Sequence, residues 1–247
     1  MPMQPAPDAD SSSVAPDPAP RASKAALGRY LETLLADIAA RPLADAPSVL
    51  ISGAVRCGKT KVANRVAARG EYVHLKTDQI RNATYLHSSG AEKRRAAKYL
   101  FRRILLRFPR GVLIDGTALM DAPCDLPLWA RARGIAVFAI GYSAGTPEDK
   151  RRDLLAYRTE NNCWTKRSKS DAEMLRFARR LIRRSKEIRA YCEDNDLPYY
   201  DLDSAHFAKE RARIVTDIER RLSAMNAAGA PQGMLARLQF WRASRSL

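Results

Sequence analysis

The run SVLISGAVRCGKTKVANRVAARG, Ser48 to Gly70, constrains this chain more than any other stretch. A short apolar segment leads into GAVRCGKT, and Val62, Val66 and Ala67 then recur on one side of a helix, so the order strand, glycine loop, helix is written into it. Gly53 and Gly58 let the backbone turn tightly enough for successive N–H groups to point inward, and the helix start adds its partial positive charge. Such a loop suits phosphate. Gly53, Ala54, Val55, Arg56, Cys57, Gly58, Lys59, Thr60 and Lys61 are therefore the candidate nucleotide-binding set. Lys59 is expected to bridge the β- and γ-phosphates of ATP, and Thr60 to offer its hydroxyl to Mg²⁺.

From Ser48 onward short apolar runs alternate with helical segments, the pattern of a parallel sheet covered on both faces. The runs are SVLIS (48 to 52), YVHL (72 to 75), GVLID (111 to 115), IAVFAIGY (135 to 142) and PYYDL (198 to 202). They predict an α/β domain over residues 47–226. Between the second and third runs, Ala97, Leu100, Phe101, Ile104, Leu105 and Phe108 form the apolar stripe of a core-packing helix. Asp115 ends the third run. Ligands gather at the carboxyl ends of parallel strands, so its carboxylate joins Thr60 as the candidate metal pair, with a simple turn-forming role as the alternative.

Outside that domain, residues 1–22 are Pro, Ala, Asp and Ser with almost nothing to bury and are expected to be a disordered tail. Leu27, Leu31, Leu34, Leu35 and Ile38 predict an amphipathic helix within residues 23–46, closed by Pro42. Residues 227–247 form a basic tail in which Met234, Leu235, Leu238 and Trp241 predict a short helix docked on the domain.

With 43 Lys plus Arg against 27 Asp plus Glu, the formal charge of +16 favours phosphate esters, nucleotides or nucleic acid as partners. Cys57, Cys124, Cys163 and Cys192 contain no CxxC pair, which points to reduced thiols rather than a disulfide frame or a zinc site. No apolar run approaches the roughly 18–20 residues of a membrane span, and the start has no signal-peptide pattern. The expectation is a cytoplasmic protein with no membrane partner.

What the nucleotide is for depends on VHLKTDQIRNATYL. LKTD is only a near miss of the guanine-reading [NT]KxD, and neither an ABC-type signature nor a second helicase module is present. Asp78 follows the second run at the same sheet edge as the glycine loop, with Arg81 three residues on, one helical turn away. Asp78 can take the proton of an acceptor hydroxyl, and Arg81 can hold an anionic group on the acceptor or on the transferring phosphoryl. The bland reading makes them a helix cap and a surface cation.

Taken together, GAVRCGKT, TDQIR, VLIDGT and the basic insertion with LLAYR and SDAE resemble the small P-loop kinases of the adenylate-kinase-like group, among them polynucleotide 5′-hydroxyl kinase and related metabolite kinases. The resemblance spans roughly Ser48 to Asp203. It implies a three-layer P-loop NTPase sandwich with a five-stranded parallel sheet in the order 2-3-1-4-5 and a helical lid over about residues 146–172. It also implies Lys59 and Thr60 as phosphate and Mg²⁺ ligands, Asp78 as the acceptor-activating acid, Arg81 as the acceptor-side arginine and Arg158 as a lid arginine. Leu155 stands where many relatives carry a second lid arginine, so Arg151 or Arg152 must serve if a pair is needed. Val55 and Arg56 replace the Pro and small residues that relatives often use.

The insertion is bracketed by two helix starts, Thr146 with Pro147 and the capping box of Ser170 with Glu173. It carries Lys150, Arg151, Arg152, Arg158, Lys166, Arg167 and Lys169, cations that suit a lid over a charge-spreading transition state or, more blandly, a solvated face. Trp164 among them could stack on a base or close an apolar seam. The expected activity is ATP- and Mg²⁺-dependent transfer of the γ-phosphoryl to a small, anionic acceptor. Two alternatives stay open: a polynucleotide 5′-hydroxyl kinase using the arginine-rich helix faces as a nucleic-acid track, and an ATP-binding regulator or ATPase.

Overall fold

The apolar runs pair into one parallel sheet: β1 (Val49–Gly53), β2 (Val73–Lys76), β3 (Val112–Asp115), β4 (Ala136–Gly141) and β5 (Tyr199–Asp201), in the spatial order β2-β3-β1-β4-β5. The computed structural model describes residues 24–78, 80, 90–120, 125–156, 170–202 and 206–228. The expected tail over residues 1–22, Arg81, Arg158, Trp164, Lys166, Arg167, Lys169 and the apolar residues Met234 to Trp241 lie outside the described residues.

Register fixes which residues face which layer. Val49 and Ile51 of β1, Leu113 of β3, and Ala136, Phe138 and Ile140 of β4 enter one buried cluster; Leu50, Val112, Ile114, Val137 and Ala139 enter the other. This is the two-residue alternation of a strand covered on both sides. The first cluster is closed by α2 (Lys59–Arg69), through Val62, Ala63 and Val66, and by the C-terminal helix of the sheet domain, which runs Phe207–Ala227, through Ile214, Val215, Ile218 and Leu222. The second is closed by α1 (Lys24–Ala39), α3 (Gly90–Arg107), α4 (Leu126–Arg131) and the far half of a 24-residue helix, Asp171–Asp194. Pro147–Ala156 forms α5, so that long helix is α6 and the C-terminal one α7.

Local chemistry sets the ends. α1 stops at Ala39, ahead of Pro42, and buries Leu31 and Ile38. The α3 stripe from Ala97 to Phe108 is buried along its length. The Asp149 N–H donates to Thr146 Oγ1 at the start of α5. The Ser170–Glu173 capping box forms at α6, with Glu173 N–H donating to Ser170 Oγ and Ser170 N–H donating to Glu173 Oε2. Among the described residues no helix is long and apolar enough to cross a membrane.

Candidate active site

The glycine loop leaves the carboxyl end of β1 at the centre of the sheet, where flanking strands deliver their own ends to it. Gly53 has φ +142°, and a Cβ there would sit 1.7 Å from the Ile140 carbonyl oxygen, so only glycine lets the loop pass this close to β4. Gly58 has φ +84°, and a Cβ would meet the Phe207 ring at 2.7 Å. Between them Arg56 is left-handed with φ +59°. Such alternation of backbone hands turns successive N–H groups toward one concavity. Cys57 is a buried filler whose Sγ–H donates to the Ile140 carbonyl over 3.0 Å.

Lys59 opens α2 and is 8 % exposed. Its Nζ donates to the Ala54 carbonyl across the loop at 2.7 Å, which holds the ammonium over the cradle. The next residue, Thr60, donates from Oγ1 to Asp115 Oδ2 at 2.7 Å. Asp115 is 3 % exposed and shares the face of β3 that carries Leu113, the α2 side. On the neighbouring strand His74 pairs with Leu113 and therefore shares that face; its Nε2 lies 2.8 Å from Asp115 Oδ1. The carboxylate is thus held from two sides, by Thr60 and by His74.

Asp78 stands just beyond β2, exposed and in helical backbone with Thr77. A contact chain ties that corner to the cradle. Ser52 Oγ donates to the Gly116 carbonyl at 3.1 Å, and a Cβ on Gly116 would strike Thr77 Oγ1 at 1.8 Å. The β2 exit lies two strand spacings from β1, about 10 Å, on the same sheet edge. The Lys61 ammonium lies 6.0 Å from the centroid of the Phe207 ring, the ring that also faces Gly58. Val55 packs on the cluster formed by Leu154, Met174, Phe177, Ala178 and Leu181.

Two residues carry weight that sequence reasoning did not assign. His74, one of three histidines widely separated in the sequence, comes beside Asp115 only through the pairing of β2 with β3. Lys150, counted among the cations of the insertion, is 3 % exposed, and its Nζ donates to the Arg56 carbonyl at 2.7 Å. Of its neighbours on α5, Arg151 pairs with Asp171 at 2.7 Å and Arg152 with Asp149 at 2.5 Å.

No protein-family model and no curated protein matches the chain. Solved structures do. The shikimate kinase of Bacteroides thetaiotaomicron superposes with a TM-score of 0.51 at 16% identity, over 70% of this chain and 98% of that one. What the two share is the fold, a five-stranded parallel sheet in the order β2-β3-β1-β4-β5 with flanking helices. A structure from the PezAT chromosomal toxin–antitoxin system of Streptococcus pneumoniae follows at TM-score 0.42 and 16% identity, over 55% of this chain and 64% of that one. A gluconokinase of Sinorhizobium meliloti 1021 gives 0.40 and 17%, over 71% and 97%. At these identities the likeness is one of architecture.

The donor set suits a nucleotide with a hard divalent cation. The glycine loop lets backbone approach phosphate closely, a buried ammonium bonds across it, and one hydroxyl and one carboxylate meet at the start of the helix that follows. Mg²⁺ characteristically takes one or two carboxylates and fills the rest of its shell from phosphate and water. Among the described residues no group of three or more His, Cys, Asp or Glu side chains is placed to hold a metal ion.

Proposed function

We propose that the protein is an ATP- and Mg²⁺-dependent phosphotransferase acting on a small anionic acceptor. The observation that carries this reading is the Thr60–Asp115 hydrogen bond, 2.7 Å, made by the residue that follows Lys59 at the start of α2. It brings a hydroxyl and a carboxylate from elements 55 residues apart to the point where a cation beside the phosphates would sit.

ATP with Mg²⁺ would supply the transferable phosphoryl group and neutralise its charge. The chain supplies the rest. Loop N–H groups and Lys59 would hold the phosphates, Lys59 exchanging its bond to Ala54 for phosphate oxygen. Thr60 and Asp115 would hold the cation, with His74 keeping the Asp115 carboxylate turned toward Thr60. Asp78, exposed at the neighbouring strand's exit, would receive the acceptor's O–H proton as that oxygen takes the phosphoryl group. Arg81 and Arg158 are proposed to hold the acceptor's anion and the transferring group respectively.

The test is transfer itself. Incubation with γ-labelled ATP, Mg²⁺ and a metabolite extract should move label onto a new small molecule. Label appearing only as inorganic phosphate would favour an ATPase or regulator instead. Label on oligonucleotide 5′-hydroxyls, lost steeply with added salt, would identify a polynucleotide kinase.

A further inference from the structure

Lys150 is a buried lysine that neither the phosphate site nor the acceptor site uses. Its position is fixed with care. Asp201 at the end of β5 accepts from Ser143 N–H at 2.5 Å, Ser143 Oγ at 2.7 Å and Ala144 N–H at 2.8 Å, which sets the turn between β4 and α5. Thr146 caps the helix one turn before Lys150. The stem then runs inward until Nζ lies 4.2 Å from the Tyr142 ring centroid and 2.7 Å from the Arg56 carbonyl oxygen.

An ammonium so deeply buried is costly unless something compensates it, and an apolar side chain would fill the same space more cheaply. Burial is also the leading cause that holds its pKa below the ordinary lysine value; Cys57 and Asp153 oppose that shift, and Lys59 and Arg56 add to it. The compensation is the loop carbonyl and the aromatic face. What the loop gains is more specific. Arg56 is the non-glycine residue of the loop held left-handed, with φ +59°, a conformation that strains any side chain with a Cβ. Should its φ relax to a negative value, the adjoining peptide planes turn over and the inward N–H array is lost. A carbonyl engaged by α5 is restrained from turning, and Val55 beside it packs against the buried cluster that Leu154 of α5 shares with α6.

We propose that Lys150 is a positioning residue for phosphate binding: its bond to the Arg56 carbonyl holds that residue left-handed and so keeps the cradle's N–H groups aimed inward. The inference rests on the nucleotide reading given above and adds to it a residue outside the glycine-loop motif.

The experiment is isothermal calorimetry with Mg²⁺ and a non-hydrolysable ATP analogue on wild type, Lys150→Met, Arg56→Gly and the double variant, with circular dichroism on each. No binding by wild type would overturn the nucleotide reading itself. With wild type binding, Lys150→Met should weaken affinity by about 10-fold or more, the loss of one charge-assisted hydrogen bond. In the Arg56→Gly background the same substitution should cost under about threefold, because glycine takes a positive φ without help. Equal losses in the two backgrounds, or none in either, would overturn the role of Lys150 while leaving nucleotide binding intact. Should Lys150→Met fail to fold, Lys150→Arg keeps a charged N–H donor of at least equal reach and should bind within about threefold of wild type; a larger loss in folded protein would overturn the proposal.

Discussion

Asp115 accepts from Thr60 Oγ1 at 2.7 Å through one carboxylate oxygen and lies 2.8 Å from His74 Nε2 through the other, so a single buried side chain joins α2, β2 and β3 beneath the glycine loop. Removing it leaves the half-buried His74 ring without its carboxylate, whereas the exposed Thr60 hydroxyl can turn to water. Asp115→Ala should lower the unfolding free energy by about 1–3 kcal/mol, read by urea denaturation without nucleotide. Asp115→Asn keeps the volume and should instead raise the Mg²⁺ needed for half-maximal nucleotide binding by about 10- to 100-fold. Unchanged Mg²⁺ dependence would remove Asp115 from the cation site.

Lys59 holds the loop through the Ala54 carbonyl and would hold phosphate in its place. Lys59→Ala should therefore cost about 100- to 1,000-fold in transfer rate, with a far-ultraviolet spectrum like that of wild type. A variant that still transfers label at the wild-type rate would show that the ammonium is structural only.

Asp78 is exposed and lies outside the cradle, so its substitution separates binding from turnover. Asp78→Asn is expected to bind nucleotide within about twofold of wild type and to lose about 10²- to 10⁴-fold in turnover with the acceptor. Wild-type turnover in this variant would remove it as the proton acceptor.

The sequence showed the architecture so readily because its signals are local. A glycine near each end of the phosphate loop, short apolar runs between helical segments and the Ser170–Glu173 cap each specify structure within a few residues, and α6 runs from Asp171 to Asp194 behind that cap. Strand ends were less legible. YVHL was expected at 72–75, and β2 occupies Val73–Lys76 because its ladder to β3 aligns Lys76 with Asp115. The six-residue α4 gave too short an apolar pattern to be read. In the site, the loop and Asp115 could be found by spacing, whereas His74 acts across a strand pairing and Lys150 across 94 residues of chain. A lysine among arginines reads as surface; only the packing of α5 against the loop shows it to be interior. Arg184 follows the same rule, half-buried and donating to the Met120 carbonyl at 2.6 Å rather than facing outward with its neighbours.

A carboxylate remote from the cradle should control the acid limb of stability. Asp217 on α7 accepts from Arg221 Nε at 2.8 Å and from Tyr200 OH at 2.7 Å, with Arg220 also in contact. Arg221 first, then Tyr200 and Arg220, hold its carboxyl well below the ordinary value of 3.8, against a partial opposing effect of burial. The proton then binds the unfolded chain more tightly than the folded one, so the contribution is complete above about pH 4 and is lost as pH falls below it toward the depressed folded value. Urea midpoints at pH 5, 4, 3 and 2.5 should therefore fall less steeply for Asp217→Asn than for wild type, while the variant starts from a lower midpoint at pH 5. Because Tyr200 also packs its ring near Phe138 at 6.3 Å between centroids, Tyr200→Phe preserves that contact and should give an intermediate slope. Parallel pH profiles for Asp217→Asn and wild type would show that the Arg221 pairing contributes nothing to the acid limb.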